Sequence, residues 1–274
     1  MRAWWSDARH FQIAALSSLL AINFIWIDFG AKPLYSALAI SSALLTQIVC
    51  SRWVGIPRIE LANIDLRSAL ITGLSLSLLL RADAPWLPAL AGVIAIGSKF
   101  VLRIDGKHIW NPAGFAIVVL LFTSNNAWIS PGQWGTSVWL AALLVFFAIL
   151  VLQASRRSDI ALFFLGSHAA LLLARATWLG DPLAIPLHQI QSGALLIFAF
   201  FMISDPRTTP DSRLGRLVFA VAVALLAHYL AFFMQMRPAL YVALIALSPV
   251  TLLLDRLVPG KPFAWTAITQ GASR

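Results

Sequence analysis

The chain has 274 residues, of which 60% are hydrophobic and only 11% charged, and its mean hydropathy is +0.83. A soluble domain carries about 25% charged residues, so this composition excludes one and indicates an integral membrane protein. The basic excess, 20 Lys and Arg against 11 Asp and Glu, comes without a Lys/Arg run or an aromatic RNA-binding motif, and the one cysteine, Cys50, excludes an internal disulfide or a Cys-based metal cage. The lipid bilayer is the expected partner, and nucleic acid is not.

Apolar stretches fall near 11–29, 33–51, 66–82, 86–103, 112–124, 136–154, 159–177, 189–204, 214–234 and 237–257, separated by charged or Pro/Gly-rich joints. They predict an all-α, polytopic membrane protein with about ten transmembrane helices. Several stretches are long enough to cross roughly 30 Å of hydrocarbon, whereas 66–82, 112–124 and 189–204 are short. The first stretch carries Asn23 and Asp28 and lacks a small-x-small cleavage site, so we read it as a retained span. With the N-terminus inside, only Lys32, Arg81, Arg175 and Arg237 fall on the far face, and Lys99 is left within a span. Because basic residues near helix ends are held on the cytoplasmic side, both termini are expected there.

A faint internal echo links Ser68-Ala69-Leu70-Ile71-Thr72-Gly73 leading to Arg81-Ala82-Asp83-Ala84-Pro85 with Gln191-Ser192-Gly193-Ala194 leading to Ser204-Asp205-Pro206. It suggests a single transmembrane domain over 1–274 built from two five-helix repeats, about 11–124 and 136–257, inverted because each holds an odd number of spans. Small residues that let membrane helices pack closely would produce the same likeness.

Two polar segments interrupt the apolar pattern: Gly106-Lys107-His108-Ile109-Trp110-Asn111-Pro112 and Ser204-Asp205-Pro206-Arg207-Thr208-Thr209-Pro210. Irregular polar backbone beside short spans commonly lines a ligand or ion site, although well-capped cytoplasmic loops use the same residues. Asn111 is expected to cap a helix starting at Pro112, whose N-terminus, below the membrane surface with Lys107 and His108 nearby, suits an anionic or electron-rich group. In the second segment Thr209 is the expected cap of a helix starting at Pro210, with Asp211 in its first turn, leaving Asp205 and Thr208 for a ligand.

These segments resemble the "G-K-x-x-F-N-P-A" and "F-F-M-x-T-D-P-x-T-x-P" motifs of the RnfD/NqrB family, the D subunit of the Rnf complex and the B subunit of the sodium-pumping NADH:quinone oxidoreductase. The matching letters are Gly106 to Ala113, with Trp110 for Phe, and Phe200 to Pro210, with Ser204 for Thr. The resemblance covers roughly Leu66 to Arg256 and implies a urea-transporter-like fold of two inverted repeats in the cell inner membrane. It implies a noncovalent flavin, riboflavin or FMN, and electron transfer with partner redox subunits in a cation-pumping oxidoreductase complex. One departure stands out. The family attaches a second flavin, FMN, to a threonine in a pattern close to Asp-x-Ser/Thr-Gly/Ser/Ala-Ala-Thr after the fifth span. Here that loop, Ser124 to Thr136, lacks the pattern, so no covalent FMN is expected.

A flavin ring needs an apolar slot, for which Phe200, Phe201 and Trp110 are candidates, and its reduction builds negative charge that a helix N-terminus, Lys99 or Lys107 would balance. The candidate cofactor-binding residues are therefore Lys99, Lys107, His108, Trp110, Asn111, Phe201, Asp205, Thr208 and Thr209. His168 and His228 could ligate haem, though interhelical hydrogen bonding is the commoner use of a membrane histidine, and the Trp residues near span ends read as the interfacial belt. No acid-base pair, nucleophile motif, phosphate loop or metal cluster is visible in the sequence. The leading reading is a flavin-dependent electron-transfer membrane subunit, possible ion transport included; the alternative is a small-solute or flavin transporter on the same fold.

Overall fold

A computed structural model of the chain describes residues 7–26, 28, 30–53, 65–104, 107–130, 142, 145–147, 149–150, 158–261 and 263. The described residues are mostly helical. They form α1 (Ala8–Ile25), α2 (Pro33–Trp53), α3 (Arg67–Leu79), α4 (Trp86–Val101), α5 (Pro112–Thr123), α6 (Ser158–Leu179), α7 (Ala184–Ile190), α8 (Gly193–Ile197), α9 (Arg213–Phe232), α10 (Ala239–Leu247) and α11 (Val250–Leu257). The expected span 136–154 falls largely outside the described residues.

Among the described residues three helices, α2, α6 and α9, are long and apolar enough to cross a membrane. Two bent pairs, α7 with α8 and its continuation (44°) and α10 with α11 (49°), raise that number to five if each pair is one span. Between 22% and 33% of each long helix's apolar window is buried, so most of its surface faces outward, where Leu34, Leu45, Val49, Leu162, Leu173 and Leu225 stand exposed. In lipid such surface costs nothing to expose, and helices are held together by close packing of small residues. That is visible where α2 meets α3 and α4: a Cβ on Gly73 would lie 2.7 Å from the Ile40 backbone, and one on Gly92 would lie 2.8 Å from the Ala43 nitrogen.

The helices gather in two groups. In the first, α2 packs on α3 and α4, α1 on α3, and α4 on α5; in the second, α6 packs on α9 and α9 on α10. Contact between α5 and α10 joins them.

Two short antiparallel ladders add to the helices. Strand β1 (Leu80–Ala82) continues α3 and pairs with β4 (Ala127–Ile129), with Arg81 opposite Trp128. Thirteen residues of helix and three of strand reach about 30 Å, so α3 makes up in extended chain what it lacks in helix. After α5 the chain turns at Asn125 and Asn126 and β4 folds back along β1, satisfying backbone groups that hydrocarbon would leave unpaired. The Asp83 N–H donates to Asn126 O and the Ser130 N–H to Leu79 O, extending the same clasp. The second ladder, β2 (Arg103–Ile104) with β3 (Lys107–His108), closes the hairpin between α4 and α5.

Candidate functional site

The hairpin delivers the first polar segment to the start of α5 with the cap its sequence predicts. Asn111 lies at φ −59°, ψ 122°, its Oδ1 accepts the Gly114 N–H at 3.0 Å, and Pro112 opens the helix. Trp110 faces the other way: its indole Nε1 donates to Ile245 O at 2.9 Å and its ring lies 5.4 Å from Phe115. It therefore fastens the hairpin to α10.

The second polar segment follows a change of helical pitch. From Phe198 to Met202 the chain is π-helical, with the Ile203 N–H reaching back to Phe198 O at 3.0 Å. Such wide turns recur at functional sites because they re-aim side chains without ending the helix. Beyond it the Ser204 hydroxyl donates to Phe200 O, and Asp205 Oδ1 accepts the Arg207 N–H at 3.0 Å. Thr208 closes the turn onto Asp205 O through its N–H at 3.2 Å. The next helix begins later than Thr209-Pro210 suggests. Ser212 is its cap, extended at ψ 152° with Oγ accepting the Gly215 N–H at 3.0 Å, so Pro210 and Asp211 remain in the loop.

The two segments meet. Asn111 Nδ2 lies 3.5 Å from Met202 O and 3.5 Å from Asp205 Oδ2, a long but convergent pair of contacts. Gly114 allows this approach, since a Cβ there would come within 3.3 Å of Met202 Cε.

Where they meet, a cavity of about 440 Å³ opens. Arg9 and Gln12 of α1, Gln47 of α2 and Asp65 with Arg67, Ser68, Thr72 and Ser75 of α3 form one side. Lys99, Phe100, Arg103, His108 and Asn111 form the floor, and Phe200, Phe201, Met202, Ser204, Asp205 and Arg207 the other side. Lys99 is only 8% exposed, and its Nζ donates to Ser68 Oγ at 2.9 Å and to Gln47 Oε1 at 3.4 Å, both neutral.

At the rim an ion-pair network joins α1 to α3. Arg9 pairs with Asp7 (2.6 Å) and with Asp65, while Arg67 pairs with Asp7 (2.7 Å) and Asp65 (2.8 Å). Burial alone would raise both carboxyls, but the Arg9 and Arg67 guanidiniums hold Asp7 and Asp65 below their ordinary value. His108, in the hairpin, is held below its ordinary value first by burial, against the attraction of Asp205 and with the help of nearby Lys99, Arg207 and Arg103. This favours the neutral imidazole, which carries one N–H donor and one acceptor nitrogen.

Of the residues the sequence singles out, Lys99, His108, Asn111, Phe201 and Asp205 share this cavity. Trp110, Thr208 and Thr209 sit beside it without lining it, Thr208 and Thr209 being buried in the loop that shapes it. The Lys107 side chain lies outside the described residues. His168 of α6 stacks on Phe164 at 5.6 Å and His228 of α9 lies 4.6 Å from Phe232, both away from the cavity. Sequence reasoning missed the far wall: Arg9, Gln12, Gln47, Asp65, Arg67 and Ser68. Its only signal was polar residues at the same ends of α1, α2 and α3 as the two motifs.

Residues 127–264 match the NQR2, RnfD, RnfE family. The chain belongs to this family. Among curated proteins it is similar to the D subunit of the ion-translocating oxidoreductase complex of Stutzerimonas stutzeri, 26% identical over 311 residues that cover 87% of each chain. It is likewise 26% identical over 300 residues to the protein of that name from Cronobacter sakazakii, covering 80% of this chain and 84% of the relative. A shorter stretch of 96 residues, 34% of this chain and 26% of the relative, is 38% identical to the Escherichia coli protein of that name. An alignment over 87% of the chain necessarily includes both polar segments.

Proposed function

We propose that this chain is a membrane subunit of an ion-translocating electron-transport complex, and that its cavity holds a noncovalent flavin, riboflavin or FMN, exchanging electrons with partner redox subunits. The observation that carries the reading is the convergence of Asn111 and Asp205 on one cavity whose buried Lys99 is hydrogen-bonded, among the described residues, only to neutral oxygens. A buried cation is stable next to an anion or an electron-rich group, and a pocket of this size falls within the range of about 300 to 1,000 Å³ common for small-molecule sites. Phe100, Phe200, Phe201 and Met202 supply apolar flanks for a ring, while Asn111, His108 and Asp205 supply polar edges. A bound flavin would supply one- and two-electron transfer. Lys99 would balance negative charge, and the short α5, whose free N–H groups begin at Pro112, would add to that effect.

The same reading takes the chain as one transmembrane domain over 1–274, of ten spans in two inverted repeats (about 11–124 and 136–257), lying in the cell inner membrane with both termini cytoplasmic. Support comes from helix positions that follow the apolar stretches, from β1 extending α3, and from two bent pairs, each of which this reading counts as one span. The missing threonine pattern argues against covalent FMN.

Purification in mild detergent followed by a visible spectrum and acid precipitation tests the reading. A yellow colour that leaves with the supernatant is expected, and Asp205→Ala should lower flavin occupancy several-fold. A preparation that stays colourless after incubation with riboflavin and with FMN would refute it; if that preparation carried solute into proteoliposomes, the assignment would pass to a transporter.

A further inference from the structure

The second polar segment is open to the cavity at Asp205 and gripped at its other end. Arg216, one turn into α9, supplies the grip. Its side chain is only 11% exposed, and its Nε and Nη2 reach both carboxylate oxygens of Asp159 in α6 at 2.6 to 2.9 Å. The remaining nitrogen, Nη1, donates to Asp211 O at 2.8 Å and lies 3.5 Å from Pro210 O. A cation near the start of a helix opposes its dipole, and burying one adds a desolvation cost, so these contacts are what hold Arg216 in place. Asp159 meets no such penalty, being a carboxylate in the first turn of α6.

Two further contacts hold the same stretch of backbone. The Asp211 N–H donates to Asp255 Oδ1 of α11 at 2.7 Å, so α9 holds the carbonyl of this residue and α11 its N–H. Gly260, just past α11, lies so near that a Cβ on it would collide with the Asp211 and Ser212 backbone. From this anchor back to Asp205 the chain is stiff. Pro206 and Pro210 have fixed φ, and the Thr208 N–H closes onto Asp205 O at 3.2 Å. A shift at Asp211 is therefore passed to the Asp205 carboxylate, which lines the cavity with Asn111 Nδ2 3.5 Å away.

We propose that Arg216, locked on Asp159, is a positioning residue for Asp205: it fixes where that carboxylate stands in the cavity without touching the ligand. Neither Arg216 nor Asp159 lines the cavity, so any effect they have on binding passes through the segment they hold. The affinity readout rests on the flavin reading given above.

The full chain, stripped of flavin and placed in phosphatidylcholine nanodiscs, is titrated with riboflavin and with FMN, following quenching of flavin fluorescence. Four forms are compared: wild type, Arg216→Gln, Asp205→Ala and the double variant. Arg216→Gln should weaken binding about five-fold, within the range for residues coupled through one hydrogen-bonded network. In the Asp205→Ala background the same change should cost less than about two-fold, because the group it positions is gone. Equal losses in both backgrounds mean that Arg216 acts through the fold at large and overturn the proposal, as does wild-type affinity in Arg216→Gln. Where Arg216→Gln fails to fold, Asp159→Asn, which keeps the side-chain shape, goes through the same cycle with the same reading. Hydrogen exchange needs no flavin: the Arg207 and Thr208 amides, both bonded to Asp205, should exchange faster in Arg216→Gln while the middle of α9 keeps its protection. Unchanged exchange at those two amides overturns the proposal, whereas binding of neither flavin by the wild type overturns the flavin reading alone.

Discussion

The two ends of the short helix α3 solve the same problem in opposite ways. At its C-terminal end the helix stops at Leu79, and the extended residues that follow are clasped by β4, leaving a hollow of only about 60 Å³ beside Arg81. Arg81 there donates to Ser77 O and Leu80 O and lies within Coulombic range of Asp28. At the N-terminal end Ser68, Thr72 and Ser75 face a cavity about seven times larger by volume, with a lysine that forms no ion pair among the described residues. A broken helix in a membrane protein is therefore not in itself the mark of a site. What marks one is polar lining that the protein has left open.

Variants at each end can break or sharpen this contrast. The largest effect belongs to Leu80→Pro, which removes the N–H that closes α3 onto Leu76 O and strains the helix end; we expect a loss of about 3 kcal/mol or more in stability. Flavin affinity of the molecules that remain folded should be unchanged. If affinity falls as well, the two ends are coupled and the contrast fails. Asn111→Ala comes next, costing about 1 kcal/mol through the lost cap. It should also weaken flavin binding by about ten-fold, read by fluorescence titration, because Asn111 bridges the two polar segments. Trp110→Phe should cost a similar or smaller amount, about 1 kcal/mol from the lost bond to Ile245 O, with flavin affinity unaltered.

The smallest effect is acid loosening of the rim. Asp7 and Asp65 are held below their ordinary 3.8, so their contribution to folding is present at every pH above that value and fades as pH falls through the lower folded values. Hydrogen exchange at residues 8–12 should stay constant from pH 7 to 5, once corrected for intrinsic rate, and quicken only below about pH 4. Earlier quickening would mean that the network does not tie α1 to α3.

Parts of this site were legible in the sequence for local reasons. Asn111-Pro112 is a cap whose chemistry is complete within four residues, and Lys99 stands out because a charge in an apolar run needs an explanation. The second cap was misplaced by three residues because Thr209-Pro210 has the right chemistry but Ser212 has the extended backbone that a cap requires. Gln47 and Ser68 gave no local signal, since each is one more polar residue on an apolar helix until α2, α3 and α4 bring them to the Lys99 ammonium. Leu80-Arg81-Ala82 reads as the last turn of a helix, all three residues being compatible with one. What makes it a strand is a partner some 45 residues later in the chain, at Ala127–Ile129.

That separation has a consequence for how the protein enters its membrane. While α3 is being inserted, the residues that will satisfy Leu80, Arg81 and Ala82 have yet to be synthesised. Until they emerge, this stretch must either stay coiled as helix or stay wet, and Arg81 favours the wet side. The clasp between β1 and β4 can close only after α4 and α5 have been made.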